Sequence, residues 1–409
     1  MQRYAPRLTA LIRTMLVGAG LICLPVLLAQ AAVLTDDATG GDCTAIGSWQ
    51  AANKTCKLNT DVGESVVIAS DDLTLHCDGH TIIGSGTGNG IELQTRLGVT
   101  IKNCTVTGFR QGVRLAASSH NTIKDSTIST NTQFGIVLVA TSNENTIKAN
   151  TVNNNPGGMI LQASSHNTIE DNVVANNSFV EGIQLTSGSD NNTVKDNMIG
   201  GGNQFDGITL SSSNFNTIKD NTVSDNLFTG IELSSASHNT LQDNIVTNNA
   251  QGMILFTATD NTIKSNTVSN HPNVGIILTS FADKNNTIED NMIEHNDRGI
   301  DLFTAGSNMF TGNYVSNNGV GIRLLFSARD NTLKSNTTEN NTTDGFFLDS
   351  STRGNIVEQN ASLANGGFGY NDASTGAGTA GTANTYDQNA CAANGAGGSS
   401  PTGLCTPQP

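Results

Sequence analysis

The chain has 409 residues, 43 of them glycine and only 5% aromatic, with a formal net charge of -15. So acidic a balance argues against nucleic acid as a partner, and no stretch is long and apolar enough for a helical membrane span in the mature protein. So much glycine with so few aromatic residues would indicate disorder in an aperiodic chain, so the fold depends on whether the composition has a period.

At the start, Arg3, Arg7 and Arg13 precede an apolar run from Met15 to about Ala29, which closes on Ala29-Gln-Ala31. This pattern predicts a secretory signal peptide over residues 1–31 and a soluble product, secreted or periplasmic. Removing three arginines and no acids takes the charge from -15 to -18 (-15 - 3). Cys23 falls inside the leader, leaving Cys43, Cys56, Cys77, Cys104, Cys391 and Cys405. An even set in an exported chain predicts disulfides, and the lack of any Cys-x-x-Cys pair argues against a zinc or redox site. Fifteen pairings are possible. Position favours Cys43 with Cys56, Cys77 with Cys104 one repeat later, and Cys391 with Cys405.

Residues 32–61, which carry Trp49 and the Cys43 to Cys56 loop, read as an N-terminal cap. From there to residue 370 one phrase recurs: Gly-Ile-x-Leu, five or six residues, then Asn-Thr-Ile-x-x-Asn-x-Val-x-x-Asn. Its glycines run from Gly90 to Gly367 in 12 intervals, so 277 residues divided by 12 gives a period near 23. Each unit holds three short apolar runs, such as Gly230-Ile-Glu-Leu, Asn239-Thr-Leu and Asn244-Ile-Val, separated by turn residues. Alternation within each run and the scarcity of helix formers predict three strands per unit rather than helices. Stacked in parallel, the units predict an all-β fold: a single-stranded right-handed parallel β-helix, or solenoid, of about 12–13 three-strand coils with disulfide-stapled ends. Ile231 and Leu233 should face the core, and Glu232 the water. Two asparagine columns, Asn121 to Asn355 and Asn150 to Asn360, should occupy left-handed turn positions and bond to their equivalents one coil away.

Segment 371–383 is rich in Gly, Ala, Ser and Thr and predicts a mobile loop. After it, Asn384-Thr-Tyr-Asp-Gln-Asn-Ala-Cys391 matches the repeat again, so residues 384–409 read as a last coil and C-terminal cap.

Asn-Thr-Ile-Lys-Asp-Asn-Thr-Val, Cys77-Asp-Gly-His-Thr-Ile and Gly98-Val-Thr-Ile-Lys-Asn-Cys together resemble the secreted β-helix proteins of the pectate-lyase-like superfamily. The likeness is greatest to those with NosD-like or carbohydrate-binding and sugar-hydrolysis repeats. It implies the fold over Val62 to Cys405 and a polysaccharide partner. Motifs of the superfamily's enzymes are missing: no Asp-Pro-His-Asp, no Arg-x-Pro-x-x-Arg, and no Gly-His-Gly beside paired aspartates. No cofactor is expected. His120, His166 and His238 share one turn position two and three coils apart, too far for one metal.

Two outward columns carry charge. Along the Gly-Ile-x-Leu strands, a middle patch joins Glu181, Gln184, Asp206 and Glu232, and a later one joins His295, Asp297, Arg298, Asp301, Arg323 and Asp344. The later patch is the predicted site: Arg298, Asp301 and Arg323 to bind an anionic sugar chain, and Asp297, His295 or Asp301 to move protons. The competing reading makes Asp301 and Arg323 an exposed ion pair of little energy. The second column holds Lys102, Lys124, Lys148, Lys195, Lys219, Lys264 and Lys334, neighboured by aspartates. The expected function is therefore an exported β-helix that binds or processes polysaccharide, with an anionic chain among the candidates. A noncatalytic structural or surface spacer is the alternative.

Overall fold

A computed structural model describes residues 31–407. All of the expected signal peptide except its last residue lies outside that range. The coil around Gly230 shows how the phrase folds: strands Thr229–Ser234, Thr240–Gln242 and Ile245–Thr247 are joined by tight turns. Alternation puts Ile231, Leu233, Leu241 and Val246 in the core with no exposed surface. Each pairs in parallel with its equivalent one coil on, Ile231 with Met253, Leu241 with Ile263 and Val246 with Val268. Repetition of this unit yields three continuous sheets of 16, 16 and 15 strands. Together they form a right-handed parallel β-helix with about 14 turns. At about 4.8 Å per turn the rod is about 67 Å long. Below, the first sheet holds the Gly-Ile-x-Leu strands, the second the Asn-Thr-Ile-Lys strands and the third the strands that follow.

The coil count exceeds the expected 12–13 because the outermost coils lack the phrase that was counted. Ala32–Leu34 pairs with Val66–Ile68 at one end of the first sheet, and Gly397–Ser400 pairs with Phe368–Asp372 at the other. The last glycine of the column is Gly369 rather than Gly367, since Phe346 registers with Tyr370. A side chain at Gly230 has no room: its Cβ would collide with Val246 and stand 2.8 Å from the Gly252 carbonyl oxygen and 2.9 Å from Asn249 Nδ2.

Asparagine ladders line the three turns of each coil. In the second column Asn221 donates its backbone N–H and its Nδ2–H to Asn244 Oδ1, at 3.1 and 3.0 Å, and Asn244 repeats both bonds to Asn266. A third ladder, from Asn131 through Asn155, Asn177, Asn203, Asn226 and Asn249, uses the final asparagine of the phrase. The left-handed backbone falls one residue earlier than expected. His238, Asp243 and Asn248 have φ of 57°, 55° and 56°, and the ladder asparagines follow them. That bend turns each amide inward, where it satisfies backbone groups that the turn withdraws from the sheets.

Three disulfides join Cys43 to Cys56, Cys77 to Cys104 and Cys391 to Cys405, with Cα separations of 5.7, 4.7 and 5.9 Å. They mark a chain that folds outside the reducing cytosol. At the N-terminal end the first pair ties the one-turn helix Cys43–Ile46 to a hairpin of Gly47–Gln50 and Thr55–Leu58, the antiparallel pairing among the described strands. Cys104 heads the second ladder, donating its N–H to Ser126 Oγ, which leads to Asn150. Segment 371–383, expected as a mobile loop from its composition, is anchored by buried polar groups. Asp372 Oδ2 accepts from Asn384 Nδ2 and Tyr386 Oη, both at 2.9 Å, and Ser374 Oγ accepts the Ala383 N–H at 2.9 Å. Composition recorded the small side chains but not these partners.

Candidate functional site

Parallel stacking at single-coil register turns the outward positions of the first sheet into columns. The middle residue of Gly-Ile-x-Leu registers as Gln184, Thr209, Glu232 and Ile254, and further along as Ile277, Asp301, Arg323 and Phe347. The residue before the glycine forms a second column through Glu181, Asp206 and Thr229, joined by bonds from Gly182 N–H to Asp206 O and from Gly207 N–H to Thr229 O.

In the later patch the expected site residues are brought together but spent on one another. Asp301 has no exposed surface. Arg323 grips it bidentately, Nε to Oδ1 at 2.9 Å and Nη2 to Oδ2 at 2.7 Å, and Arg298 Nε stands 3.3 Å from Oδ2. The Arg323 guanidinium also lies 6.0 Å above the Phe303 ring. The pair is therefore buried and doubly hydrogen-bonded, not the exposed pair that the alternative reading expected. Asp297 is exposed and 3.8 Å from Arg298. His295 sits on a left-handed turn after the third sheet, 3.9 Å from Glu294. Asp344 accepts the Phe368 N–H at 2.7 Å and Asn371 Nδ2 at 2.8 Å. Arg114, the remaining arginine of the column, is 2.9 Å from Glu92.

The middle patch is different, because its acids have no basic partner. Glu232 is half-buried within hydrogen-bonding reach of Asp206, and burial, then the Asp206 charge, push its carboxyl up to about 7. The sequence expectation that Glu232 simply faces water is corrected: its neighbours desolvate it. Glu181 is also raised, chiefly by burial, and its Oε2 is buried with no hydrogen-bond partner. Asp206 Oδ1 accepts the Thr229 N–H at 2.7 Å, which fixes that carboxylate. Beside these acids, at the corner where the chain enters the first sheet, Phe205 and Phe228 stack with centroids 5.4 Å apart and planes at 21°. They are 40% and 50% exposed, and Phe179, which precedes Glu181, is 71% exposed. These aromatics were missed from sequence. The available signal was a phenylalanine two or three residues before Gly182, Gly207 and Gly230 in three successive coils.

On the second sheet the lysine column is largely neutralised. Glu170 meets Lys195 at 2.7 Å and Lys148 at 2.9 Å, and the two lysines hold its carboxyl below the usual range. Lys334 meets Glu358 at 2.7 Å. His120, His166 and His238 all lie on left-handed turns. His271, unremarked in the sequence, replaces asparagine in the third ladder: Nδ1 accepts the Asn249 N–H at 3.2 Å and Nε2 is 3.1 Å from Val246 O. Burial holds this ring's pKa down. Among the described residues no group of three or more His, Cys, Asp or Glu side chains is placed to hold a metal ion.

Comparison with known proteins follows from this geometry. No curated protein sequence matches the chain. Among solved structures it is similar to the Azotobacter vinelandii mannuronan C-5 epimerase AlgE4 A-module, with TM-score 0.46 and 15% identity over 85% of this chain and 89% of that one. It is also similar to the periplasmic alginate epimerase AlgG, with TM-score 0.48 and 15% identity over 69% and 74%. A third similar structure is the alginate lyase of Paenibacillus sp. str. FPU-7, with TM-score 0.43 and 14% identity over 63% and 98%. The profile of the family described as "Periplasmic copper-binding protein (NosD)" matches residues 48–206, 201–320 and 282–403. Those segments cover nearly all of the three-sheet rod, and the chain belongs to the NosD family.

Proposed function

We propose that the protein binds or processes a polysaccharide along the outward face of the first sheet, centred on Glu232, Asp206 and Glu181. The carrying observation is the carboxyl pair Glu232–Asp206 beside the stacked, exposed rings of Phe205 and Phe228. Side chains on this face recur every coil, about 4.8 Å apart, close to the advance of one sugar unit in an extended chain. The rings offer flat apolar surface to sugar faces, and the carboxyls accept hydroxyl hydrogen bonds. If a glycosidic bond is cleaved here, Glu232, protonated up to a pH of about 7, supplies the proton to the leaving oxygen as water adds at the anomeric carbon.

Arg298, Asp301 and Arg323, the site read from sequence, support the proposal less, because Arg323 is bound bidentately to Asp301 and Arg298 stands 3.3 Å from the same carboxylate. Copper binding, which the family's description names, finds no fitting ligand group among the described residues, and no copper site is assigned. A purely structural spacer has no use for three half-buried acids without a basic partner. The test is incubation of the mature protein with cellulose, chitin, pectate, alginate and hyaluronan fragments, scoring retention and new reducing ends. Retention without new ends establishes binding alone; neither retention nor new ends refutes the proposal in favour of the spacer. New ends that persist in Glu232→Gln remove Glu232 as the proton donor.

A further inference from the structure

Resting on that reading, we propose that Phe179, Phe205 and Phe228 form a stacking platform for a sugar chain that carries no acid groups, so that the protein's glycan is not a polyuronate. Exposure carries the first half. Phenylalanine rings are ordinarily buried, yet three at equivalent corners of consecutive coils stand 71%, 40% and 50% exposed, with Leu227 beside them at 63%. The Phe205–Phe228 stack extends the apolar surface along the rod at 5.4 Å between centroids. A surface of this kind on a monomer usually marks a binding site, and rings presented flat suit the CH-rich face of a hexopyranose.

Charge carries the second half. The arginines on the outward columns of the first sheet all stand against acids of their own: Arg114 pairs with Glu92, Arg323 grips Asp301, and Arg298, whose Nε makes no hydrogen bond, lies 3.3 Å from Asp301 Oδ2. Glu181, Asp206 and Glu232 beside the platform have no counter-ion, and Asp206 already raises the pKa of both glutamates. A uronate laid on these rings adds a fourth carboxylate to a partly desolvated group of three, with no cation to receive it. A neutral sugar meets no such barrier, and its hydroxyls donate to the exposed carboxyl oxygens of these acids. The lysine column cannot supply the missing cations, since it lies on a different sheet of the rod.

The experiment measures binding of cellohexaose, chitohexaose and a mannuronate hexamer to the mature full-length protein at low ionic strength. We expect one or both neutral hexamers to bind at least about tenfold more tightly than the mannuronate hexamer, with added salt narrowing the gap. Phe205→Ala with Phe228→Ala should weaken neutral binding about tenfold or more, the scale of two lost stacking contacts, while the melting temperature holds because both rings are already exposed. Glu181→Gln with Glu232→Gln should raise affinity for the mannuronate hexamer. Tighter binding of the mannuronate hexamer by the unmodified protein overturns the substrate class but leaves polysaccharide binding intact. Unchanged neutral binding in the double phenylalanine variant overturns the platform. Failure of all three hexamers and of the polymer panel overturns both this inference and the function on which it rests.

Discussion

Replacing Asn221 by alanine tests whether the asparagine ladder, rather than the aliphatic core alone, holds the coils together. The Asn221 side chain makes five hydrogen-bond contacts, three of which share the two hydrogens of Nδ2. Nδ2 donates to Asn244 Oδ1 at 3.0 Å and to the carbonyls of Val194 and Lys219 at 2.9 Å each. Oδ1 accepts the Asn197 N–H and Nδ2–H, both at 3.0 Å. Asn197 Nδ2 keeps bonds to Ile169 O and Lys195 O, but its backbone N–H has no other acceptor. Counting the two hydrogens of Nδ2 and the two accepted bonds, four bonds at about 0.5–1 kcal/mol each, plus about 1–3 kcal/mol for one orphaned buried donor, give a loss of about 3–7 kcal/mol. That equals or exceeds the about 2–5 kcal/mol expected for Leu233→Ala in the core. Thr222→Ala, on the adjacent outward position, should cost about 1 kcal/mol or less. Guanidinium unfolding followed by far-ultraviolet circular dichroism measures the three variants, and hydrogen exchange shows whether loss of protection centres on the coils of Asn197, Asn221 and Asn244. Asn221→Asp, which keeps the shape but loses both donor hydrogens, should be at least as damaging at pH 7 and partly relieved at pH 4. If Asn221→Ala and Thr222→Ala unfold within about 1 kcal/mol of each other, the ladder is a consequence of stacking and not a cause of it.

Asp301→Asn should lower stability by about 3 kcal/mol in thermal melts, because it leaves the half-buried Arg323 without its bidentate partner; the loss would be negligible for a solvated surface pair. Glu232 has its folded pKa raised from 4.5 to about 7, so the fold holds a proton that the unfolded chain has released, and stability falls as pH rises through that interval. Glu232→Gln should remove this contribution to the fall, and denaturant midpoints at pH 4, 6 and 8 check it. Glu232→Lys, beside Asp206, should raise the melting temperature at pH 8 rather than pass unnoticed, whereas Leu233→Asp should unfold several coils. Asp283, buried and accepting the Ala258 and Ser280 N–H groups at 2.7 Å each, is raised from 3.8 to about 6. Asp283→Asn should accordingly flatten the decline in stability between pH 4 and 6, unless loss of one acceptor outweighs the effect at every pH and refutes it.

What the sequence determined by itself is whatever one coil repeats locally. A period near 23, alternating runs and turn residues suffice to specify three parallel sheets, because each strand pairs with the same phrase one coil later and no distant partner has to be guessed. The inward placement of Ile231 and Leu233, the two asparagine columns and the Cys77–Cys104 pair follow from the same register. Even the third ladder was present in the phrase, as its last asparagine, with Phe109 at its head and His271 in place of one asparagine. Tertiary structure alone decided how the outward side chains combine. Asp301 and Arg323 are 22 residues apart, and their spacing cannot say whether the carboxylate is solvated; Arg323, held over the Phe303 ring, and the second arginine, Arg298, both close on it. Glu232 and Asp206 belong to different columns, so their contact depends on side-chain reach across a coil, which a column-by-column reading does not contain. The Phe205–Phe228 stack lies at a sheet corner, where alternation no longer indicates direction and only the path of the backbone fixes which way a ring points.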